Sequence, residues 1–329
     1  MTLPSPSQAP RNLLLADIGG SHLRIARLRP DHGCELLADL PTPTQNWPQF
    51  CAALKQALQP HAAPGAPGAA LSISITGLVS PESGKVDAAN LPCLNGRPLA
   101  SELSALLGMP VVVSNDAQCA ALAEARLGVG RGHAVVFCAV LGTGVGGGLV
   151  VNGQWVRGGG GLGGEWGHGP VVNEALLERA DGQRLRLPRF ACSCGQSGCV
   201  DTIGGARGLE RLHGWLQAKQ TQAQFDSRQI LQAWLSGDAG AAATVAAYLE
   251  LIAGPLAMVV NFSGASVVPV CGGLSRCPEL VAALDQAVRQ RILRRDDQPL
   301  LRPSTLNDQA GLIGAACAYE QLRMERVRE

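Results

Sequence analysis

Twice along this chain an apolar run breaks into a glycine-rich turn and resumes as a second apolar run, and few folds accommodate that pattern. The first instance is Leu13 to Ile18, the turn Asp17-Ile18-Gly19-Gly20-Ser21, then Leu23 to Leu28. The second starts near Val135, passes through Leu141-Gly142-Thr143-Gly144-Val145-Gly146-Gly147-Gly148 and resumes in Leu149 to Val151. Short apolar runs flanking glycines read as strand, turn, strand. Further strands are expected at Cys34 to Leu40, Leu71 to Ile75, Val111 to Val113 and Val267 to Cys271. Helical spacing links Trp47, Phe50, Leu54 and Leu58, and helices are expected at Pro98 to Leu107, Ala117 to Leu127, Gln229 to Leu235, Ala239 to Phe262, Glu279 to Ile292 and Gln309 to Leu322. Two halves that begin alike and continue with helices predict two related α/β domains. Pro255 should kink or divide the long helix, because proline lacks an amide donor and crowds the preceding turn.

Composition excludes several classes of function. With 27 basic residues against 26 acidic, the charge of +1 carries no nucleic-acid footprint. A chain 46% hydrophobic and 16% charged is not globally disordered. The uncharged run Ala134 to Val151 reaches the length of a membrane span, but five glycines and Thr143 interrupt it, so no membrane segment is expected. Eleven dispersed cysteines, with no apolar leader before a cleavage site, read as free thiols in the cytoplasm. Residues 1 to 12 read as a flexible leader, and the Pro/Gly/Ala-rich Pro60 to Ala70 as a surface loop.

Four constellations carry chemistry. At Asp17 to Ser21, glycine amides could receive phosphate oxygens and the strand-end carboxylate could organise a hydrated cation; a ligand-free hairpin needs the same glycines. It is not a Walker A loop, which requires a lysine followed by Ser or Thr. Gly142, Gly144 and Gly147 match GxGxxG, yet a strand follows where a dinucleotide site requires a helix, so phosphate contact or a purely structural turn remain. Cys192, Cys194 and Cys199 with upstream His168 supply a tetrahedral set suited to structural zinc, against the reading of ordinary buried cysteines; Gly195 and Gly198 let the loop fold round an ion. Asn90, Asn115, Asp116, Glu165, His168 and Asp201 are polar candidates for a crevice, although Asn115-Asp116 before a helix could simply be a cap.

In this order, Asp17 to Ser21, Asn115-Asp116, Leu141 to Gly148, Glu165 to His168 and Cys192 to Cys199 resemble the ROK family of bacterial sugar kinases, from about Leu13 to Ala318. Pro41-Thr42-Pro43, Ala88 to Pro92, Gly164 to His168 and Gly272 to Ser275 are similar to its N-acetylglucosamine kinase branch. The resemblance implies an actin-like, hexokinase-type α/β fold with two domains flanking an active-site cleft. It sets residues 13 to 117 as the first domain, completed by a helix at about 307 to 325, and 118 to 306 as the larger domain carrying the zinc loop. Asp116 would be the general base in ATP-dependent 6-phosphorylation of N-acetylglucosamine. Gly77, Asn90, Asn115, Glu165, His168 and Asp201 match sugar-site positions. Asp17, Gly19, Gly20, Ser21, Gly142, Thr143 and Gly144 match phosphate and magnesium positions, and Gly272 and Gly273 approach the nucleoside.

Glucokinase or fructokinase activity is the near alternative, and a non-catalytic sugar-responsive binding protein the distant one. A homodimer is compatible with the resemblance. The family's repressors carry an added helix-turn-helix domain, for which the residues before the first strand leave no room. Three departures stand out: Ser21 replaces a usual threonine, Asp201 a usual glutamate, and Asn261-Phe262-Ser263-Gly264 a usual Asp-Pro turn. Collapse of the zinc loop is expected to disturb the sugar site through Glu165 and Asp201, and the phosphate turns less directly.

Overall fold

The computed structural model describes residues 12–31, 33–61, 68–169, 176–178, 183–217, 225–295 and 298–328. The expected leader, save Asn12, lies outside the described residues, as does most of the loop expected from Pro60 to Ala70. The chain falls into two compact units. One comprises Met1–Gly132, Gly148–Gly163 and Leu306–Glu329; the other comprises His133–Gly147 and Gly164–Thr305.

In the first unit, β1 (Asn12–Ile18) pairs antiparallel with β2 (His22–Leu28), which pairs antiparallel with β3 (Cys34–Pro41). Helix α1 (Trp47–Leu58) leads to β4 (Ala69–Ile75), which is parallel to β1. The Asn46 side chain caps α1 by accepting from the Gln49 amide, and Pro48 sits in the first turn, where no amide partner is needed. A ribbon of β5 (Leu78–Val79) and β6 (Val86–Asp87) and helix α2 (Leu99–Leu107) precede β7 (Val111–Asn115), parallel to β4. The sheet order is β3-β2-β1-β4-β7.

Helices cover both faces of this sheet. Leu14, Ala16 and Ile18 of β1 pack with Phe50 and Leu54 of α1 and Leu99 and Leu103 of α2. Leu15 points to the other face, with Cys119 of α3 (Asp116–Arg126) and Leu312, Ala315 and Ala316 of α9 (Ala310–Arg328). Burial on two faces explains why β1 reads as a continuous apolar run up to Asp17, while β4 alternates Leu71, Ile73 and Ile75 with Ser72 and Ser74, both buried and hydrogen-bonded, to the Ala315 carbonyl of α9 and to Asp17. Period-two geometry then puts Asp17 on the α9 side, where a Cβ on Gly311 would come within 2.8 Å of its Oδ1.

The second sheet starts with β8 (Val135–Leu141) and β9 (Val145–Val151); β10 (Gln154–Trp155) pairs antiparallel with the end of β9, a pairing that lies within Gly148–Gly163 and so is counted with the first unit. A ribbon of β11 (Leu176–Glu178) and β12 (Arg184–Arg186) follows. Next come α4 (Asp201–Gly204), α5 (Ala206–Gln217), α6 (Ser227–Leu235) and α7 (Ala239–Ser263), then β13 (Val268–Cys271), α8 (Pro278–Arg289) and β14 (Leu301–Pro303). The sheet order is β10-β9-β8-β13-β14, with β13 parallel to β8 and β14. Counted among its own five strands, each sheet reads third, second, first, fourth, fifth, so the repeated sequence pattern is a repeated topology.

Three boundaries differ from expectation. The division after residue 117 would cut α3, which stays in the first unit together with α9. Strand β9 starts at Val145, not Leu149, and Gly146 to Gly148 are strand residues rather than turn. Gly147 and Gly148 are glycine because neighbours occupy the space: a Cβ on Gly147 would sit 2.8 Å from the Gly164 carbonyl, and one on Gly148 would sit 2.5 Å from Ala121 Cβ. Pro255 does not divide α7, which is one helix of 25 residues, capped by Asp238 and ended by Gly264 in the left-handed conformation. Leu251, Ile252, Ala253, Leu256 and Ala257 are buried on both sides of the proline, and that packing offsets the roughly 3 kcal/mol cost of proline in a helix. Helix α7 is also long and apolar enough to cross a membrane, but 56% of its most apolar window is buried within the protein.

The approach of α3 to α9 is testable. A Cβ on Gly314 would collide with the Cys119 carbonyl. Gly314→Val should therefore lower unfolding free energy by at least about 2 kcal/mol through overpacking, measured by denaturant titration. A stability within 0.5 kcal/mol of wild type, a roughly neutral surface-like effect, would contradict this packing.

Candidate functional site

Parallel pairing gathers the first unit's candidate residues at the carboxyl ends of β1, β4 and β7. The register sets Asp17 beside Ser74 and Ser74 beside Ser114, then Ile18 beside Ile75 and Ile75 beside Asn115. Ser74 donates its hydroxyl to Asp17 Oδ1 at 2.9 Å. Burial pushes the Asp17 carboxyl above its ordinary range, opposed by the Ser74 hydrogen bond and by the charge of Arg24. Ser74 had a sequence signal that went unused: a polar residue in the apolar strand AALSISI must have a buried partner.

The first glycine turn is a tight hairpin in which the Gly19 amide donates to the His22 carbonyl at 2.9 Å. A Cβ on Gly20 would lie 3.1 Å from Asn90 Cβ, so this glycine lets Asn90 approach the turn. Gly77 has φ +111°, and its carbonyl accepts from Asn115 Nδ2 at 2.9 Å. Asn115 Oδ1 in turn accepts from the Gln118 amide at 2.9 Å. The capping reading therefore holds for Asn115, whose amide group is committed at both ends. Asp116 is the first residue of α3 and is half-buried, and its Oδ1 accepts from the Ala117 amide at 2.8 Å. A helix N-terminus favours negative charge at that position.

In the second unit, the Trp166 indole donates to the Gly146 carbonyl at 2.7 Å and its ring meets Phe137 edge-on, clamping the 164–168 loop onto β9. Glu165 Oε2 lies 3.9 Å from His168 Nε2. Burial raises the Glu165 carboxyl, with His168 lowering it and Asp201 raising it further. Gly272, at φ +90°, abuts the second glycine turn: a Cβ there would fall 2.6 Å from the Gly142 amide nitrogen. Part of the segment between His168 and Cys192 lies outside the described residues.

His168, Cys192, Cys194 and Cys199 bring one ligand atom each within 4.8 Å of one another. Cys194 Sγ is 3.6 Å from Cys199 Sγ, and Cys192 Sγ is 3.7 Å from His168 Nδ1. A tetrahedral ion with metal–sulfur bonds near 2.3 Å needs ligand separations of about 3.8 Å, so the donor set fits one metal ion. All eleven cysteines are free thiols, so these three are available as ligands. Gly195 and Gly198 take φ of +87° and +81°, turning the loop so that the Cys192 amide donates to the Gln196 carbonyl at 2.8 Å. The backbone amide of Gln196 draws the exposed Cys194 thiol down to about 7, while burial pushes Cys192 up to about 12.

Asp201 joins two motifs that lie far apart in sequence. Its Oδ1 accepts from the Val145 amide at 2.7 Å, and its Oδ2 lies 3.7 Å from Cys192 Sγ. The metal loop is thus in direct contact with the second glycine turn, which sequence distance had concealed. A single metal equivalent per chain is expected by elemental analysis, and Cys194→Ser should lower both metal content and melting temperature. Well under one equivalent in folded wild-type protein would overturn the assignment.

The sequence matches the ROK family over residues 14–321. It is 33% identical over 305 residues to the N-acetylgalactosamine kinase AgaK of Shewanella sp. (strain ANA-3), covering 91% of this chain and 94% of that protein. It is 32% identical to the N-acetyl-D-glucosamine kinase of Shigella flexneri serotype 5b (strain 8401), covering 91% and 96%. Among solved structures, the ROK hexokinase from Thermus thermophilus superposes with a TM-score of 0.75 at 29% identity, covering 94% of this chain and 99% of that one. A ROK family glucokinase from Streptomyces griseus in complex with glucose and AMPPNP has a TM-score of 0.75 at 25% identity, with the same coverage. With the expected two-unit α/β architecture in place and the family match spanning nearly its whole length, the chain belongs to the ROK family.

Proposed function

We propose that this protein transfers the γ-phosphoryl group of ATP to the 6-hydroxyl of N-acetyl-D-glucosamine, giving N-acetylglucosamine 6-phosphate and ADP. The observation that carries the reading is Asp116, a carboxylate on the first turn of α3 directly after the parallel strand β7, in a chain whose relatives are named as amino-sugar kinases. A sugar hydroxyl is a poor nucleophile at neutral pH, and Asp116 takes its proton as the oxygen attacks phosphorus. Such a base contributes about 10²- to 10⁴-fold.

The other groups position. Asn90, Glu165 and His168 bind sugar hydroxyls, and Asn115 and Gly77 hold the strand end that presents Asp116. Amides of Gly19, Gly20 and Ser21 and of Gly142, Thr143 and Gly144 receive phosphate oxygens, and Gly272 and Gly273 lie against the nucleoside. A buried carboxylate whose charge is disfavoured by burial suits a neighbouring cation, so Asp17 would hold magnesium through water. Magnesium, when bound, neutralises charge on the transferring phosphates. The His168/Cys192/Cys194/Cys199 set is that of structural zinc, with no position left for water. With Nδ1 on the metal side, His168 keeps Nε2 toward Glu165 and the sugar. Free thiols and the need for ATP favour the cytoplasm.

A sugar-binding protein without catalysis would not need Asp116 or two phosphate turns. Glucose or fructose as preferred substrate is the near alternative, and the Shewanella relative adds N-acetylgalactosamine. Two measurements decide. Asp116→Asn should lower kcat by at least about 10²-fold with a folded protein and little change in sugar affinity; near-wild-type turnover would remove the base assignment. A panel of N-acetylglucosamine, N-acetylgalactosamine, N-acetylmannosamine, glucose, mannose and fructose should give the highest kcat/KM for N-acetylglucosamine, with glucose about 10- to 200-fold lower, the usual cost of a missing apolar group. A higher value for any other sugar would change the substrate and keep the class.

A further inference from the structure

The segment that follows the last cluster cysteine runs straight into the second glycine turn and grips it at several points. Asp201 Oδ1 accepts from the Val145 amide at 2.7 Å, at the end of the turn. The Ala206 amide donates to the Gly142 carbonyl at 2.8 Å, at its start. A Cβ on Gly205 would lie 2.6 Å from both Gly144 Cα and the Thr143 carbonyl oxygen, and a Cβ on Gly144 would collide with Asp201 Oδ1. Turn and segment are therefore in backbone contact with no space for a side chain between them.

The same segment is anchored to the cluster. Asp201 is two residues beyond Cys199, its Oδ2 lies 3.7 Å from Cys192 Sγ, and its amide donates to the Gly167 carbonyl at 2.8 Å, next to His168. On the far side the buried Tyr248 hydroxyl donates to the Gly204 carbonyl at 2.8 Å.

We propose that Asp201 is a positioning residue that couples metal occupancy of the His168/Cys192/Cys194/Cys199 cluster to the Gly142–Val145 turn, so that loading the cluster sets the affinity for the nucleotide triphosphate. The inference rests on the kinase reading only in taking that turn as the phosphate site. Metal binding fixes His168, which follows the Gly167 carbonyl that accepts from the Asp201 amide, and Cys199, which lies two residues before Asp201; the Asp201 backbone is thereby set, its carboxylate reaches the Val145 amide, and the turn keeps its amides aimed outward. Removing the ion frees the carboxylate and with it the end of the turn.

The test uses the full chain, metal-loaded or stripped by a chelator, with a non-hydrolysable ATP analogue in calorimetry and amide hydrogen exchange over residues 141–148. Stripping wild type should weaken analogue binding about tenfold or more, the scale of a hydrogen bond to a charged acceptor, and speed exchange at the turn. Metal-loaded Asp201→Ala should show the same loss, and stripping it should add under about threefold, since the link is already cut. Asp201→Asn, which keeps an acceptor for Val145, should restore loaded affinity to within about threefold of wild type. Equal weakening of wild type and Asp201→Ala on stripping, or loaded Asp201→Ala binding within twofold of wild type, would overturn the coupling. So would turn exchange that is unchanged when wild type is stripped, a readout that decides even if Asp201→Ala does not fold. Loaded wild type that binds no analogue would instead overturn the kinase reading, and the exchange arm would still decide whether metal orders the turn.

Discussion

Parallel strand pairing is the constraint from which the rest of this molecule follows. Because β4 and β7 run parallel to β1, and β13 and β14 parallel to β8, the chain has to return across a sheet face between them, and helices make those returns. Every strand end of one polarity then falls at one edge of its unit. That is how Asp17, Ser74 and Ser114, nearly a hundred residues apart from first to last, come into one register, with Asn115 in the next. Covering β1 with α1 and α2 on one face and α3 and α9 on the other leaves its end as the place where a carboxylate can be both buried and addressed.

The same constraint explains what the sequence made legible. A strand buried on both faces is apolar wherever no buried partner awaits a polar group, so β1 and β8 were plain, and the glycines between paired strands marked the two turns. Where one residue type serves two purposes, the reading slipped. Gly147 and Gly148 are glycines of β9 because Trp166, Phe137 and α3 fill their side-chain space, and no sequence pattern distinguishes a glycine excluded by neighbours from a glycine required by a turn. Pro255 obeyed a local rule that tertiary burial of α7 overrides. The metal set was legible because its donors are chemically rare and three of them are adjacent in sequence; the bond from Asp201 to Val145 was not, because 56 residues separate its ends.

The pair Asn115-Asp116 illustrates how a bland reading and a functional one divide a single motif. Asn115 satisfies the orphan Gln118 amide of α3 and the Gly77 carbonyl at once, which is structural work. That commitment fixes the backbone at the start of α3 and so aims the following residue. The Asp116 carboxylate is held in turn by the Ala117 amide at 2.8 Å and by Asn115 Nδ2 at 3.3 Å, so the cap and the residue it aims are one hydrogen-bonded unit.

Topological repetition has not produced two equal turns. In the first, Gly20 yields space to Asn90, an uncharged side chain from a neighbouring loop, and the hairpin closes through its own backbone between Gly19 and His22. In the second, Gly144 yields space to Asp201: the Gly142 amide donates to the Gly144 carbonyl at 3.0 Å, and the Val145 amide is held in addition by a carboxylate whose other oxygen faces a cluster thiol. Both turns thus close through their own backbone, and the second adds one bond from outside. That added bond inherits every condition that positions the Asp201 carboxylate, and here one condition is a cluster whose donor set fits a metal ion. What the two turns do not share arises from one side chain and the backbone amide it reaches.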